Sequence, residues 1–174
     1  MIQPRKLVLI FSSILSWNSL QAEKRYSFDE DQQKQLAEEE VIFLEPEEGD
    51  MLTAVIRIDA PRALVWEIML DYERVPKYVK ELRKISFLEE GENWKIIEHK
   101  LKIHPLLPTF LYVFREEYGK DYHIKFNRVR GAFKELTGSW KLVSQENDSH
   151  SLLVYSTFVD VGWFIPKFWI QKGI

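Results

Sequence analysis

The segment from Ile58 to Val79, Ile-Asp-Ala-Pro-Arg-Ala-Leu-Val-Trp-Glu-Ile-Met-Leu-Asp-Tyr-Glu-Arg-Val-Pro-Lys-Tyr-Val, constrains the fold more than any other part of the chain. It reads as a strand ending at Asp59-Ala60, a helix opened by Pro61 and a second short helix around Pro76. Proline suits the first helical turn because the N–H it lacks would be unpaired there anyway, and Asp59 or Ala60 leads the chain in. From Met51 the pattern predicts a strand over 51–58, helices over 61–70 and 73–79, and strands near 82–89, 93–103, 110–118, 121–129, 135–143 and 151–161. Turn residues separate them at Glu90-Gly-Glu-Asn93, Pro105 to Pro108, Gly119-Lys-Asp121 and Glu146-Asn-Asp-Ser149. Connections this short argue for an antiparallel meander with one face buried and the other wet.

Gly131-Ala-Phe-Lys-Glu-Leu-Thr-Gly-Ser-Trp-Lys-Leu142 places Leu136, Trp140 and Leu142 on one face of a strand, and Leu152 to Val161 follows as another. With Asp-Ala-Pro, Val-Trp, Asp-Tyr and Val-Pro before them, these segments run in order over roughly 51–170. The chain resembles the START-like helix-grip (SRPBCC) superfamily in its polyketide cyclase / coenzyme Q-binding branch. The resemblance implies an α+β fold: a curved antiparallel β-sheet wrapped around a C-terminal helix, two short helices after the first core strand, and a cavity between sheet and helix. Phe164 to Ile174 opens such a helix, with Pro166 near its first position. Two turns fall short of the roughly 20 residues that a ~30 Å span requires at 1.5 Å each. Either the helix is truncated here, or another element is expected to close the groove: the segment Phe28 to Glu40, or a second copy of the chain in a homodimer.

The N-terminus reads differently. Arg5 and Lys6 precede the apolar run Leu7 to Trp17, and Ser19-Leu-Gln-Ala22 offers a small residue for cleavage. This is the pattern of a secretory signal over 1–22, with an apolar stretch too short to span a bilayer comfortably. The expected location is periplasmic or secreted; an uncleaved signal would instead anchor the chain to the membrane. An acidic segment with a possible extra strand occupies 23–50, and the helix-grip domain takes 51–174. Residues 1–22 carry two of the 24 Lys and Arg and none of the 27 Asp and Glu, so the remainder has a net charge of −5. Such a balance argues against nucleic acid, whose recognition requires clustered cations. The absence of cysteine excludes disulfides, thiolate chemistry and lipid attachment through cysteine.

Strand parity proposes a wall, since alternate side chains point to opposite faces. Ile97, His99 and Leu101 share one face of their strand, Phe110, Tyr112 and Phe114 one face of the next, and Ile124 and Phe126 continue it. Trp140, Leu142 and Tyr155 extend the surface, Val65 and Met69 at i, i+4 close one end from the first helix, and Phe168 approaches from the C-terminal helix. The wall is a candidate site for a hydrophobic small molecule. Buried aromatics are also what any core contains, so the polar residues of inward parity carry more information. Arg128 is one, expected to meet Glu116 or a ligand head, or to reach water near the strand end. His99 is the other, either a satisfied wall residue or one that orients a ligand. Leu106 and Leu107 between two prolines, together with Trp163 and Phe164, form a candidate membrane or partner contact.

Nothing in the chain spells catalysis. The histidines at 99, 104, 123 and 150 lack metal-ligand spacing, Ser139 in Thr-Gly-Ser-Trp lacks the second glycine of a nucleophile elbow, and no glycine-rich phosphate loop is present. No cofactor or metal is expected. The resemblance implies a binder of a lipid, an isoprenoid quinone or a related molecule, for carriage or sequestration. Some resembling proteins are cyclases and dehydratases, which keeps an enzyme using the same cavity open, as it does an envelope interaction module with a filled core.

Overall fold

In the computed structural model, residues 26–45, 51–145 and 147–160 are described. The expected N-terminal signal and C-terminal helix, and with them Trp163, Phe164 and Phe168, lie outside the described residues. Helix α1 (Glu30–Ala37) and strand β1 (Ile42–Leu44) precede β2 (Leu52–Ile58), α2 (Arg62–Met69) and α3 (Val75–Tyr78). Six strands follow: β3 (Leu82–Glu90), β4 (Trp94–Leu101), β5 (Phe110–Gly119), β6 (His123–Gly131), β7 (Glu135–Gln145) and β8 (His150–Asp160).

All eight strands form one curved antiparallel sheet in the order β1-β2-β8-β7-β6-β5-β4-β3. β3 to β8 are the expected meander; β2 returns to pair with β8, with Val55 opposite Val154. Pro61 sits at the N-cap of α2, one position before the expected first turn. The turn that leads into it is tied to β8 by Ser151, fully buried, whose hydroxyl donates to the Ala60 carbonyl at 2.7 Å. Bulges in β3 and across Val113/Phe114 interrupt the ladders, which raises the local twist.

The sheet carries a core on each face, so the expectation of one buried and one wet face is corrected. On one face Val55, Val143, Leu152 and Val154 pack with Leu36 and Ile42, and Tyr26, Phe28 and Leu44 lie against them. On the other, Ile97, Phe114, Phe126, Phe133 and Leu136 form a second cluster. Leu152 and Val154 have the opposite parity to Tyr155 on the same strand, which places the two clusters on opposite sides.

α1 therefore does not close the groove of the aromatic face; it covers the other one. The helix starts at a capping box in which Asp29 accepts from the Gln32 amide at 2.8 Å and Gln32 accepts from the Asp29 amide at 3.2 Å. Glu30 and Asp31 occupy its first turn and Lys34 its last, the favourable arrangement for the helix dipole. Its one buried residue is Leu36. Truncating Leu36→Ala is expected to lower unfolding free energy by about 2–4 kcal/mol in urea denaturation, while compounds held on the opposite face of the sheet remain bound. Loss of such binding at unchanged stability would place α1 over the wrong face.

Candidate functional site

The aromatic face encloses a hollow of about 140 Å³, walled by His99, Tyr112, Phe114 and Phe126 on β4 to β6 and by Leu136, Trp140 and Tyr155 on β7 and β8, with Glu116 among them. Register brings these residues together. His99 lies opposite Tyr112, Glu116 opposite Phe126 and Trp140 opposite Tyr155. The Trp140 and Tyr155 rings stack at 4.0 Å, Tyr155 continues to Phe126 at 6.1 Å, and Phe114 stands edge-on to His99 at 4.7 Å. Gly138 lies under Phe126: a Cβ there would come within 2.5 Å of the ring and 2.2 Å of the Ser156 carbonyl oxygen. Only glycine lets the ring lie that close to the strand.

Two polar groups punctuate the wall. The first is the His99–Tyr112 pair, with Nδ1 at 3.0 Å from the hydroxyl, while Nε2 is buried with no partner among the described residues. Burial pushes the imidazole pKa down to about 4 and the Tyr112 hydroxyl up, so both are neutral at physiological pH. If Nδ1–H donated to the tyrosine oxygen, both the tyrosine proton and Nε2 would be left unsatisfied. If the hydroxyl donates to Nδ1, a single donor remains, the Nε2–H. Since each unpaired buried donor or acceptor costs on the order of 1–3 kcal/mol, we assign the second arrangement.

The second group is Glu116, buried at 6 % exposure. Its Oε2 accepts from the hydroxyls of Tyr72 and of Tyr118, the latter at 2.7 Å, and the two hydroxyls are 2.8 Å apart. The two hydroxyl protons fill only two sides of this triangle at once, so the contact between the tyrosines competes with their bonds to the carboxyl. Desolvation raises the Glu116 pKa, against smaller opposing effects of the two tyrosine hydrogen bonds and of Lys95. Tyr72 comes from the turn between α2 and α3, and its ring meets Phe87 edge-on at 5.3 Å.

The wall residues named from parity divide into groups. His99, Tyr112, Phe114, Phe126, Trp140 and Tyr155 line the hollow. Ile97 and Leu101 belong to the same cluster without lining it, while Val65 and Leu142 are buried, and Met69 half-buried, away from it. Arg128 pairs with Phe114 and so has inward parity, yet its side chain is exposed and meets neither Glu116 nor the hollow. Its Nε donates to the Phe133 carbonyl at 2.6 Å and its terminal nitrogen to that of Gly131 at 3.3 Å, bracing the turn into β7. Nor does Glu116 reach water at a strand end. Parity reading missed Glu116 as a wall residue although it continues the series Phe110, Tyr112, Phe114; an acidic residue on that face was the available signal. Tyr72, from outside the sheet, and Leu136 were missed as well.

A protein-family model described as polyketide cyclase / dehydrase and lipid transport matches residues 58–172, well over half of the chain. The chain belongs to this family. No protein among those with curated descriptions matches it. Among solved structures, a STAR-related lipid transfer protein from Xanthomonas axonopodis superposes with a TM-score of 0.60 at 15 % identity, over 76 % of this chain and 82 % of that one. A START superfamily protein from Mycobacterium smegmatis gives 0.60 at 17 %, over 71 % and 86 %. The Zhui aromatase/cyclase from a Streptomyces species gives 0.58 at 16 %, over 64 % and 68 %. At these identities the likeness is one of fold.

The two polar groups act on stability in opposite senses as pH changes. His99 titrates lower in the folded chain than its ordinary 6.5, so its contribution is complete above that value and is lost as pH falls towards about 4. That loss amounts to about 3 kcal/mol at most. The Glu116 carboxyl titrates higher than usual, so its contribution is complete in acid and is lost as pH rises through its raised value. Chemical denaturation across the pH range should therefore show His99→Gln flattening the limb on which stability falls with acid and Glu116→Gln the limb on which it falls as pH rises. Unaltered limbs would mean that neither group is buried in the form described.

Proposed function

We propose that the protein binds a hydrophobic small molecule, a lipid, an isoprenoid quinone or a related compound, in the hollow of the aromatic face, and carries or sequesters it outside the cytoplasm. The observation that carries this reading is the orphan Nε2–H of His99 within an aromatic hollow. A filled core has no reason to leave a donor unpaired, whereas a ligand oxygen arriving there satisfies it. About 140 Å³ accommodates a ring-sized part of a ligand, comparable to a cavity of ~150 Å³ that takes benzene. A longer apolar tail extends beyond it and gains roughly 25 cal/mol for each Å² removed from water. The family's description includes lipid transport, and one neighbour of similar fold is itself a lipid transfer protein. Export is supported by Arg5, Lys6 and the apolar run to Trp17.

A second reading, an enzyme of the cyclase or dehydratase type, draws on one observation: Glu116 and His99 are driven in opposite directions, one towards holding a proton and the other towards remaining without a second one. That is the environment of a general acid facing a neutral imidazole. The family's description names cyclases and dehydrases alongside transport.

The deciding experiment is native mass spectrometry of the full chain, expressed with its own N-terminus and handled without detergent. One apolar compound at reproducible stoichiometry is expected, and Phe126→Trp, which fills the hollow, should expel it. A chain that is empty and stays empty when offered an envelope lipid extract would sink the carrier reading in favour of an interaction module. Glu116→Ala or His99→Ala protein that keeps its compound but fails to convert it would establish the enzyme.

A further inference from the structure

We propose that the end of the sheet formed by α3, the start of β3 and the loop between β4 and β5 docks on an anionic lipid membrane. The antiparallel pairing of β3 with β4 brings residues 77–84 and 100–108 to this end, with Leu82 opposite Leu101 and the Lys102 amide donating to the Glu81 carbonyl at 2.7 Å. Within these two stretches six residues are Lys or Arg and one, Glu81, is acidic, in a chain of formal net charge −3. Lys77, Lys80, Arg83, Lys84 and Lys100 are exposed and have no ion pair among the described residues; the nearby Arg74 is held by Asp71 at 3.0 Å. Lys84 stands opposite Lys100 across the strands. Like charges so placed are destabilising, and an external anion relieves them.

Cations alone fit any acidic partner; the apolar side chains among them select a lipid surface. Leu106 is 85 % exposed, Tyr78 72 % and Val79 43 %. Leu106 projects from a loop that Pro105 and Pro108 stiffen, that the Leu106 amide closes onto His104 Nδ1 at 3.2 Å, and that the Lys102 ammonium anchors through the Leu107 carbonyl. A braced apolar tip and an exposed tyrosine at the same end as a group of cations are what an interface between headgroups and acyl chains accommodates. No helix among the described residues is long and apolar enough to cross a membrane, so attachment through this end is peripheral. Nothing in this surface depends on the cavity, and the two stand or fall separately.

The test is flotation of the full chain with vesicles of phosphatidylcholine alone and of phosphatidylcholine with phosphatidylglycerol, in low and in molar salt. The N-terminal apolar run is common to all variants and to both vesicle types, so the difference between vesicles isolates the cationic end. Preferential binding to the anionic vesicles, abolished by salt, is expected. With about five-fold in affinity for each cation near an anionic surface, Lys80→Gln/Lys84→Gln/Lys100→Gln should lower it on the order of 100-fold. Leu106→Ser, which leaves charge unchanged, should lower it on the order of ten-fold. These side chains are exposed, and circular dichroism should show all variants folded. Equal binding to both vesicle types, or a triple variant that binds anionic vesicles as the original chain does, overturns the proposal. Retention on polyglutamate without vesicle binding also overturns it and assigns the surface to an acidic protein.

Discussion

Every contact in the hollow descends from the register of β4 to β8. Side chains alternate between faces with a period of two, so a slip of one residue in any of these strands would exchange its two faces. On β4 a slip would replace Ile97, with 0 % of its surface exposed, and His99 by Glu98 and Lys100. On β5 it would bring Arg115 and Glu117 inward in place of Phe114 and Glu116. The cost of burying those charges selects the observed pairing, and the bulge at Val113/Phe114 curves the sheet without losing it. Once the register is set, Trp140 must lie beside Tyr155 and Phe126 over Gly138.

The two faces then do different work. Around Val55, Val143, Leu152 and Val154 the residues are aliphatic, and Leu36 with Tyr26 and Phe28 covers them. The opposite face is aromatic and carries hydroxyls, a carboxyl and an imidazole. Aromatic side chains are large and rigid, and in an edge-on or offset arrangement they leave space between rings that aliphatic side chains fill. A hollow with a few polar atoms on one face and a dense apolar core on the other lets the sheet be stable without the aromatic face being full.

This division explains what the sequence discloses. Alternation in β4, β5 and β7 is strong and the connections are short, so strands, order and facing residues can be read directly, as can the helices around Pro61 and Pro76. Parity also orients His99, Tyr112 and Trp140, because their side chains are short or stiff and go where the Cβ points. Arg128 shows the limit of that argument: its Cβ has inward parity, but its long side chain reaches the carbonyls of Gly131 and Phe133 instead. Tyr72 belongs to no periodic element, and nothing in its neighbours signals that its hydroxyl ends on Glu116. For α1, one buried leucine is too little amphipathicity to indicate which side of a sheet it will choose.

Burial of Glu116 follows the same logic from the energetic side. A carboxyl at 6 % exposure is costly when ionised, and Lys95, across the strand pair, has its ammonium over the Phe87 and Tyr72 rings at 4.6 and 5.5 Å. The two tyrosine hydroxyls that donate to it and the Lys95 ammonium offset part of that cost, and desolvation still outweighs them. Burial thereby works against charge on the aromatic face, raising the Glu116 carboxyl, lowering the His99 imidazole and raising the Tyr112 hydroxyl. A cluster of cations with no ion pair among the described residues lies instead at the end of β3 and β4. Charge acts over a Debye length and apolar burial only at contact. A chain arranged this way can be attracted to a surface by one part of itself while the other discriminates among molecules by shape and by a single hydrogen bond.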